Sequence, residues 1–161
     1  SLDAGVIYKG YHSDAARTHA VGEVSEEAKK LIQVTKESFF EGIKFAKAGN
    51  HLFDISGAIG RYAEERGYGV VRDLCGHGIG TALHEAPEIP NYEVGRKGVK
   101  LRPGMTLAIE PMINIGTYEV DWLDDDWTVV TRDGSLSAHY ENTILITEGE
   151  PRILSLTCEN E

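Results

Sequence analysis

One glycine-rich stretch constrains this chain more than any other. Residues 75–80 are Cys-Gly-His-Gly-Ile-Gly, and a second histidine, His84, follows His77 by seven residues. Glycines beside an imidazole let the backbone approach a bound group where larger side chains would clash. The pattern predicts that backbone shape holds His77 and presents it to such a group. We interpret the group as a metal ion, whose other ligands must come from elsewhere in the chain.

Length and charge exclude several classes of protein. The 161 residues are enough for one domain with a sizeable core, and the hydrophobic fraction of 41% is typical of soluble proteins. The net charge of −10 disfavours nucleic acid and anionic membranes as partners, because a basic patch is needed to meet them. Two cysteines, Cys75 and Cys158, do not make a disulfide framework, so we expect a reducing, cytoplasmic setting.

The first residues predict a β-hairpin that carries two carboxylates. Strands at 2–8 and 11–21 flank the turn dipeptide Lys9-Gly10. In that register Gly5 faces Asp14, and Asp3 is the diagonal neighbour of Asp14 on the same face, ~7–8 Å away. Two acids among alanine, glycine and valine repel each other, so a cation between them is the sharper hypothesis. Two solvated strand acids are the alternative.

The rest of the chain predicts a mixture of helices and short strands. Ser25 is a candidate N-cap for a helix, and His51 is assigned to a second cap or to the surface. The expected helices span 25–48 and 52–66, the expected strands 69–74, 105–112, 127–132, 138–147 and 151–156, and the expected loops 85–100 and 117–126.

Five acids and histidines stand in otherwise apolar or glycine-rich strands, with His84 close by. Four carboxylates carry four negative charges, which two divalent cations would balance beside a neutral imidazole; without metal, several acids would be protonated or repel one another. An oxygen-rich set with one imidazole suits Mn, Fe(II), Co or Zn. Two such ions ~3.5–4 Å apart can activate water, which points to metal-assisted hydrolysis. The five are Asp3, Asp14, His77, Glu110 and Glu141.

These five residues, with the segments HSDAARTHAVG, CGHGIG, HEAP, AIEPM and WTVVTRDGSLSAHYENT, resemble the type I methionine aminopeptidases. The resemblance implies the pita-bread fold, an α+β architecture in which helices cover one face of an antiparallel sheet. It also implies one catalytic domain over 1–161 that lacks the N-terminal part of the first half. The missing segment, or a second chain, is then an expected partner.

The resemblance implies a ligand set for two divalent metal ions, which would be Co, Mn, Fe(II) or Zn. Asp3 would chelate one ion, and Asp14 and Glu141 would bridge both ions. His77 and Glu110 would complete the coordination of the other ion.

Further roles follow from the same resemblance. Glu110 would also shuttle the proton of the bridging water, and His84 would hydrogen-bond the substrate carbonyl or the tetrahedral intermediate. Trp127 matches the tryptophan that walls the methionine pocket. Three positions depart from the usual family pattern: Leu83 replaces an aromatic residue, and His139 and Asn142 replace Gln and His.

The implied reaction is hydrolytic removal of N-terminal methionine from peptides or nascent proteins by a dimetal-bound hydroxide. An Xaa-Pro aminopeptidase or dipeptidase of the same fold is one alternative. Those enzymes usually carry an arginine shortly before the last glutamate and an aspartate after it, whereas Glu141 lies between Tyr140 and Asn142. An inactive pita-bread fragment is the other alternative. Inactive relatives typically lose ligands, and all five are present here.

Overall fold

The computed structural model describes residues 1–156, so Cys158 lies outside the described residues. Two helices and several short strands follow one another along the chain. They are β1 (Leu2–Tyr8), β2 (Tyr11–Arg17), α1 (Glu26–Ile43), α2 (Leu52–Glu64), β3 (Gly69–Val70), β4 (Gly76–Gly78), β5 (Glu85–Ile89), β6 (Thr106–Ile109), β7 (Met112–Asn114), β8 (Val120–Trp122), β9 (Val129–Thr131), β10 (Ser137–His139), β11 (Asn142–Leu145) and β12 (Arg152–Ile153).

The predicted hairpin forms in the predicted register. Tyr8 pairs with Tyr11 and Gly5 pairs with Asp14, and Lys9 and Gly10 make the turn with positive φ angles. Strand β2 ends at Arg17, earlier than expected, because the next residue turns its hydroxyl to the backbone of His139 instead of continuing the ladder. Every residue of β1 is exposed.

The two helices cross at close range. As predicted, the Ser25 hydroxyl caps α1 by accepting the Ala28 N–H at 3.1 Å, and His51 is the N-cap of α2. Helix α1 ends at Ile43 rather than 48, because the following residues form tighter turns closed by bonds to the carbonyls of Gly42 and Ile43. Helix α2 ends at Glu64, two residues before its predicted end.

A five-stranded antiparallel sheet in the order β12-β11-β6-β4-β5 carries the main core. Helices α1 and α2 pack their apolar faces against it, as the α+β prediction requires. The largest fully buried contributors are Phe39, Ile55 and Ile59 from the helices and Leu107, Ile109 and Ile144 from the strands.

Two predicted strands are each broken in two, and the breaks share one cause. The expected strand 105–112 divides into β6 and β7 around Glu110-Pro111, where proline has no N–H for the ladder. The expected strand 138–147 divides into β10 and β11 around Tyr140-Glu141. At the first break the chain leaves the five-stranded sheet for a separate sheet of order β10-β7-β3, and at the second it returns from that sheet to the five-stranded one. Glu110 and Glu141 therefore lie side by side at the junction of two sheets.

The expected loops also contain strands. Strand β5 lies inside 85–100 and pairs with β4, and its proline is tolerated because β5 is the edge of the sheet. Strand β8 lies inside 117–126 and pairs with β9. The expected strand 69–74 is reduced to β3, because Arg72 and Asp73 turn outward in a bend. Within residues 1–156 no helix combines the length and apolar character needed to cross a bilayer.

Candidate metal centre

Five separate segments bring the predicted ligands together. Asp3 and Asp14 come from the hairpin, His77 from β4, and Glu110 and Glu141 from the two breaks between sheets. The hairpin reaches the site because the end of β2 pairs with the segment before β11. There the Glu141 N–H donates to the Ala16 carbonyl at 2.9 Å.

Asp14, His77 and Glu141 form one buried group whose ligand atoms all lie within 4.8 Å of one another. Nε2 of His77 is 3.9 Å from Oδ2 of Asp14 and 3.6 Å from Oε1 of Glu110. Nδ1 of His77 lies 2.8 Å from the Gly78 carbonyl, which can only accept a hydrogen bond. Nδ1 therefore carries a proton, and the lone pair of Nε2 points into the space among the acids, where a metal ion would accept it.

A second group shares Glu141 with the first. It joins Asp3, His139 and Glu141, again with ligand atoms within 4.8 Å of one another. The sequence did not indicate His139 as a ligand; the one signal available was that histidine stands where relatives carry glutamine. Asp3 is exposed whereas Asp14 is buried, so the alternative of two solvated strand acids is wrong for Asp14.

The electrostatics of the site favour a bound cation. Glu141 is 1% exposed, and its Oε1 has no hydrogen-bond partner among the described residues. Burial, together with the neighbouring carboxylates of Glu110, Asp14 and Asp3, raises the pKa of Glu141 to about 9. Burial and the Asp3 carboxylate also raise the pKa of Asp14. Clustered, partly unpartnered carboxylates with a correctly oriented imidazole form a donor set that fits divalent metal ions.

Two residues that the sequence did not single out hold this arrangement in place. The Thr143 hydroxyl accepts the Asp14 N–H at 2.8 Å and donates to the Asp14 carbonyl at 3.0 Å. Arg17 stacks over the Tyr140 ring at 4.1 Å and donates to the carbonyl of Glu141 and to Oδ1 of Asn142. Thr143 follows Glu141 by two residues, a strand spacing that could have indicated a shared face.

A cleft of about 1250 Å³ opens in front of the carboxylates. His84 and Trp127 line it together with the predicted ligands Asp3, His77 and Glu110. The His84 ring lies 4.4 Å from the His77 ring between centroids. Trp127 is 85% exposed, so it stands at the rim without closing the cleft.

The aspartates before Trp127 have a local structural role. The Asp125 carboxylate accepts the N–H of Trp127 at 3.0 Å and the N–H of Thr128 at 2.8 Å. The hydrogen bond from the Thr128 hydroxyl at 2.6 Å, together with these two backbone bonds, lowers the pKa of Asp125. Asp125, within the expected loop 117–126, thus fixes the turn that carries Trp127 and takes no part in the ligand cluster.

Helices over an antiparallel sheet, with carboxylates and an imidazole gathered at a cleft, form the architecture and donor set expected of a metal-dependent hydrolase. Residues 1–148 match the model of metallopeptidase family M24, and the chain belongs to this family. Among curated proteins, it is 60% identical over 159 residues to a methionine aminopeptidase of Clostridium acetobutylicum, covering 99% of this chain and 63% of that protein. It is 51% identical to methionine aminopeptidase 1 of Bacillus subtilis, covering 92% and 60%. The resemblance to methionine aminopeptidases is confirmed, although the chain spans about three-fifths of their length.

Solved structures agree in fold. A methionine aminopeptidase of Thermotoga maritima superposes with a TM-score of 0.93 at 49% identity, covering 96% of this chain and 62% of that one. A prolidase of Pyrococcus furiosus superposes with a TM-score of 0.74 at 28% identity, covering 96% and 40%. The predicted pita-bread class is confirmed, and the agreement is closer with the methionine aminopeptidase than with the prolidase.

Proposed function

We propose that this chain is the catalytic region of a cytoplasmic methionine aminopeptidase, which hydrolyses the peptide bond after an N-terminal methionine. The observation that carries the proposal is the convergence of Asp3, Asp14, His77, Glu110 and Glu141 in one cluster, which borders a cleft through Asp3, His77 and Glu110. High identity to proteins named methionine aminopeptidase supports the choice of reaction.

The ligands divide between two divalent ions, Co, Mn, Fe(II) or Zn. His77 and Glu110 would hold one ion and Asp3 the other, and Asp14 and Glu141 would contribute to both. When bound, such ions lower the pKa of a water molecule and stabilise negative charge on a substrate oxygen. Glycine at positions 76 and 78 allows the close strand packing behind His77, since a Cβ at Gly78 would lie 2.2 Å from the Ala86 carbonyl oxygen.

Three side chains act on the substrate itself. Glu110 accepts the proton of the attacking water and delivers it to the leaving amine, a role that its position on the cleft permits. His84 donates a hydrogen bond to the oxygen of the scissile carbonyl, where negative charge develops. Trp127 offers its exposed indole to the methionine side chain at the rim.

The decisive experiment measures release of methionine from a Met-Ala-Ser peptide by the chain loaded with Co, Mn or Fe(II). We expect hydrolysis, and we expect Glu110→Gln to reduce kcat by about 10²- to 10⁴-fold, the usual contribution of a general acid–base residue. Glu88→Gln is the matched control, because Glu88 lines the same cleft without joining the ligand cluster. Absence of methionine release with every metal, or equal activity of the two variants, would refute the proposal.

Cleavage of Xaa-Pro dipeptides is the second candidate, favoured by the structural likeness to the prolidase. The same assay distinguishes the two reactions when Ala-Pro is offered beside Met-Ala-Ser. Preferential hydrolysis of Ala-Pro would select the second candidate. Tight metal binding without hydrolysis of either peptide would indicate an inactive domain.

A further inference from the structure

His139 is held in a fixed position beside the ligand cluster. Its backbone N–H donates to the Thr18 hydroxyl at 2.8 Å, and that hydroxyl lies 3.0 Å from the His139 carbonyl. The side chain is only 14% exposed, and Nε2 is buried without a hydrogen-bond partner among residues 1–156. A buried imidazole nitrogen without a partner is costly, so it calls for an explanation.

The groups that face His139 are carboxylates. Nε2 lies 3.5 Å from Oε2 of Glu110, which is longer than an ordinary N–H···O hydrogen bond. A ring nitrogen of His139 also lies within 4.8 Å of ligand atoms of Asp3 and Glu141. The Oε1 atom of Glu141 is buried without a partner as well. A cation bound between the two side chains would give both Nε2 of His139 and Oε1 of Glu141 the partner that they lack.

We propose that His139 is a nitrogen ligand of the ion held by Asp3 and Glu141. This inference rests on the proposed function, because it concerns the same pair of ions. Each ion then has one imidazole: His77 for the first and His139 for the second, with Glu141 common to both groups. An imidazole in place of an oxygen ligand favours Co and Zn over Mn at the second position.

Metal titration tests the assignment without using activity. Co(II) is added to the metal-free chain, and binding is followed by calorimetry and by the visible absorption of bound Co(II). We expect two ions per chain in the parent. His139→Gln should weaken the second ion at least about tenfold and leave the first unchanged. His77→Gln should instead weaken the first. His19→Gln is the control, since His19 is exposed.

The possible outcomes separate the inference from the proposed function. Two ions bound with unchanged affinity in His139→Gln would overturn the inference and leave the proposed function standing. No bound Co(II) in the parent would overturn both.

If His139→Gln does not fold, a measurement on the unmodified chain still tests the assignment. X-ray absorption at the zinc edge of the two-zinc form should count about one imidazole per zinc if His139 is a ligand. A count of one imidazole for every two zinc ions would contradict the assignment.

Discussion

The hairpin β1–β2 and the five-stranded sheet both contribute to the proposed metal site, but they are stabilised in different ways. In the sheet, Ile109 and Ile144 are fully buried, and the neighbouring Glu141 is sealed from solvent. In the hairpin, large apolar residues such as Val6 and Ile7 are more than half exposed, and Asp3 is exposed with them. Of the two hairpin acids, Asp14 therefore lies within the core, like Glu141, whereas Asp3 projects from it.

Specific polar contacts fasten the hairpin to the core in place of apolar packing. Asp14 is attached through the hydroxyl of Thr143, and the end of β2 through Arg17 and its stack on Tyr140. Polar bonds of this kind fix geometry strongly while contributing about 1 kcal/mol each to stability. The positions of Asp3 and Asp14 therefore depend on a few buried hydrogen bonds between the hairpin and the sheet.

The largest expected effect on stability comes from making the same isoleucine-to-alanine substitution once in the sheet and once in the hairpin. Ile109→Ala should lower the free energy of unfolding by about 2–5 kcal/mol, because it leaves a cavity at a residue that is 0% exposed. Ile7→Ala, at a residue that is 62% exposed, should change it by less than about 0.5 kcal/mol. Urea unfolding of the metal-free chain measures both values. Equal losses would contradict the difference between hairpin and sheet.

The next effect is the pH dependence of stability, which tests the buried carboxyl group of Glu141. Burial and the carboxylates of Glu110, Asp14 and Asp3 raise the pKa of Glu141 from 4.5 to about 9. The folded metal-free chain therefore holds this proton more tightly than the unfolded chain. The contribution of this proton to the free energy of unfolding is fully present below pH 4.5 and is lost as the pH rises towards 9. The loss is on the order of 3 kcal/mol by neutral pH.

Glu141→Gln removes that titration and provides the control. Thermal unfolding between pH 5 and pH 8 should show a melting temperature that falls more steeply for the parent than for the variant. Adding a divalent cation to the parent should restore stability at the high end of the range, because the ion binds the carboxylate form. Parallel pH profiles of parent and variant would show that Glu141 does not carry the effect.

The smallest expected effect on stability concerns the hydrogen bonds that attach the hairpin to the sheet. Thr143→Val removes both hydrogen bonds to the Asp14 backbone and leaves those buried groups unpaired, at a cost of about 1–3 kcal/mol. Thr35→Val is a matched control, since Thr35 is equally buried but bonds only to the Leu31 carbonyl within α1.

Two measurements distinguish the role of Thr143 from that of an ordinary buried threonine. Chemical unfolding should show the larger loss for Thr143→Val, and metal titration should show weaker binding for that variant alone. If Thr35→Val weakens metal binding as much, the role assigned to Thr143 is wrong.

The sequence predicted local structure well where signals were local. The hairpin register followed from the turn Lys9-Gly10 and the alternation beside it, and every residue of that ladder pairs as expected. Strand β5 escaped prediction because Pro87 suggested a loop, although an edge strand tolerates proline. The strand breaks at 110–111 and 140–141 arise from a change of sheet, which depends on distant partners.

The candidate site shows the same limit. Acids and a histidine in apolar or glycine-rich strands could be gathered into a set from the sequence, and the resemblance assigned a role to each. His139 and Thr143 were missed because their significance depends on contacts with Asp3, Asp14 and Glu110, which are far away in sequence.

The contact between Asp14 and Thr143 joins residues that are 129 positions apart in the chain. A ribosome adds roughly 5–20 residues per second, so one side of this contact leaves it on the order of ten seconds before the other. During that interval the hairpin acids have no sheet to attach to. The ligand cluster therefore cannot be complete before β11 has emerged, and the proposed ions could meet the full set of ligands only from that point on.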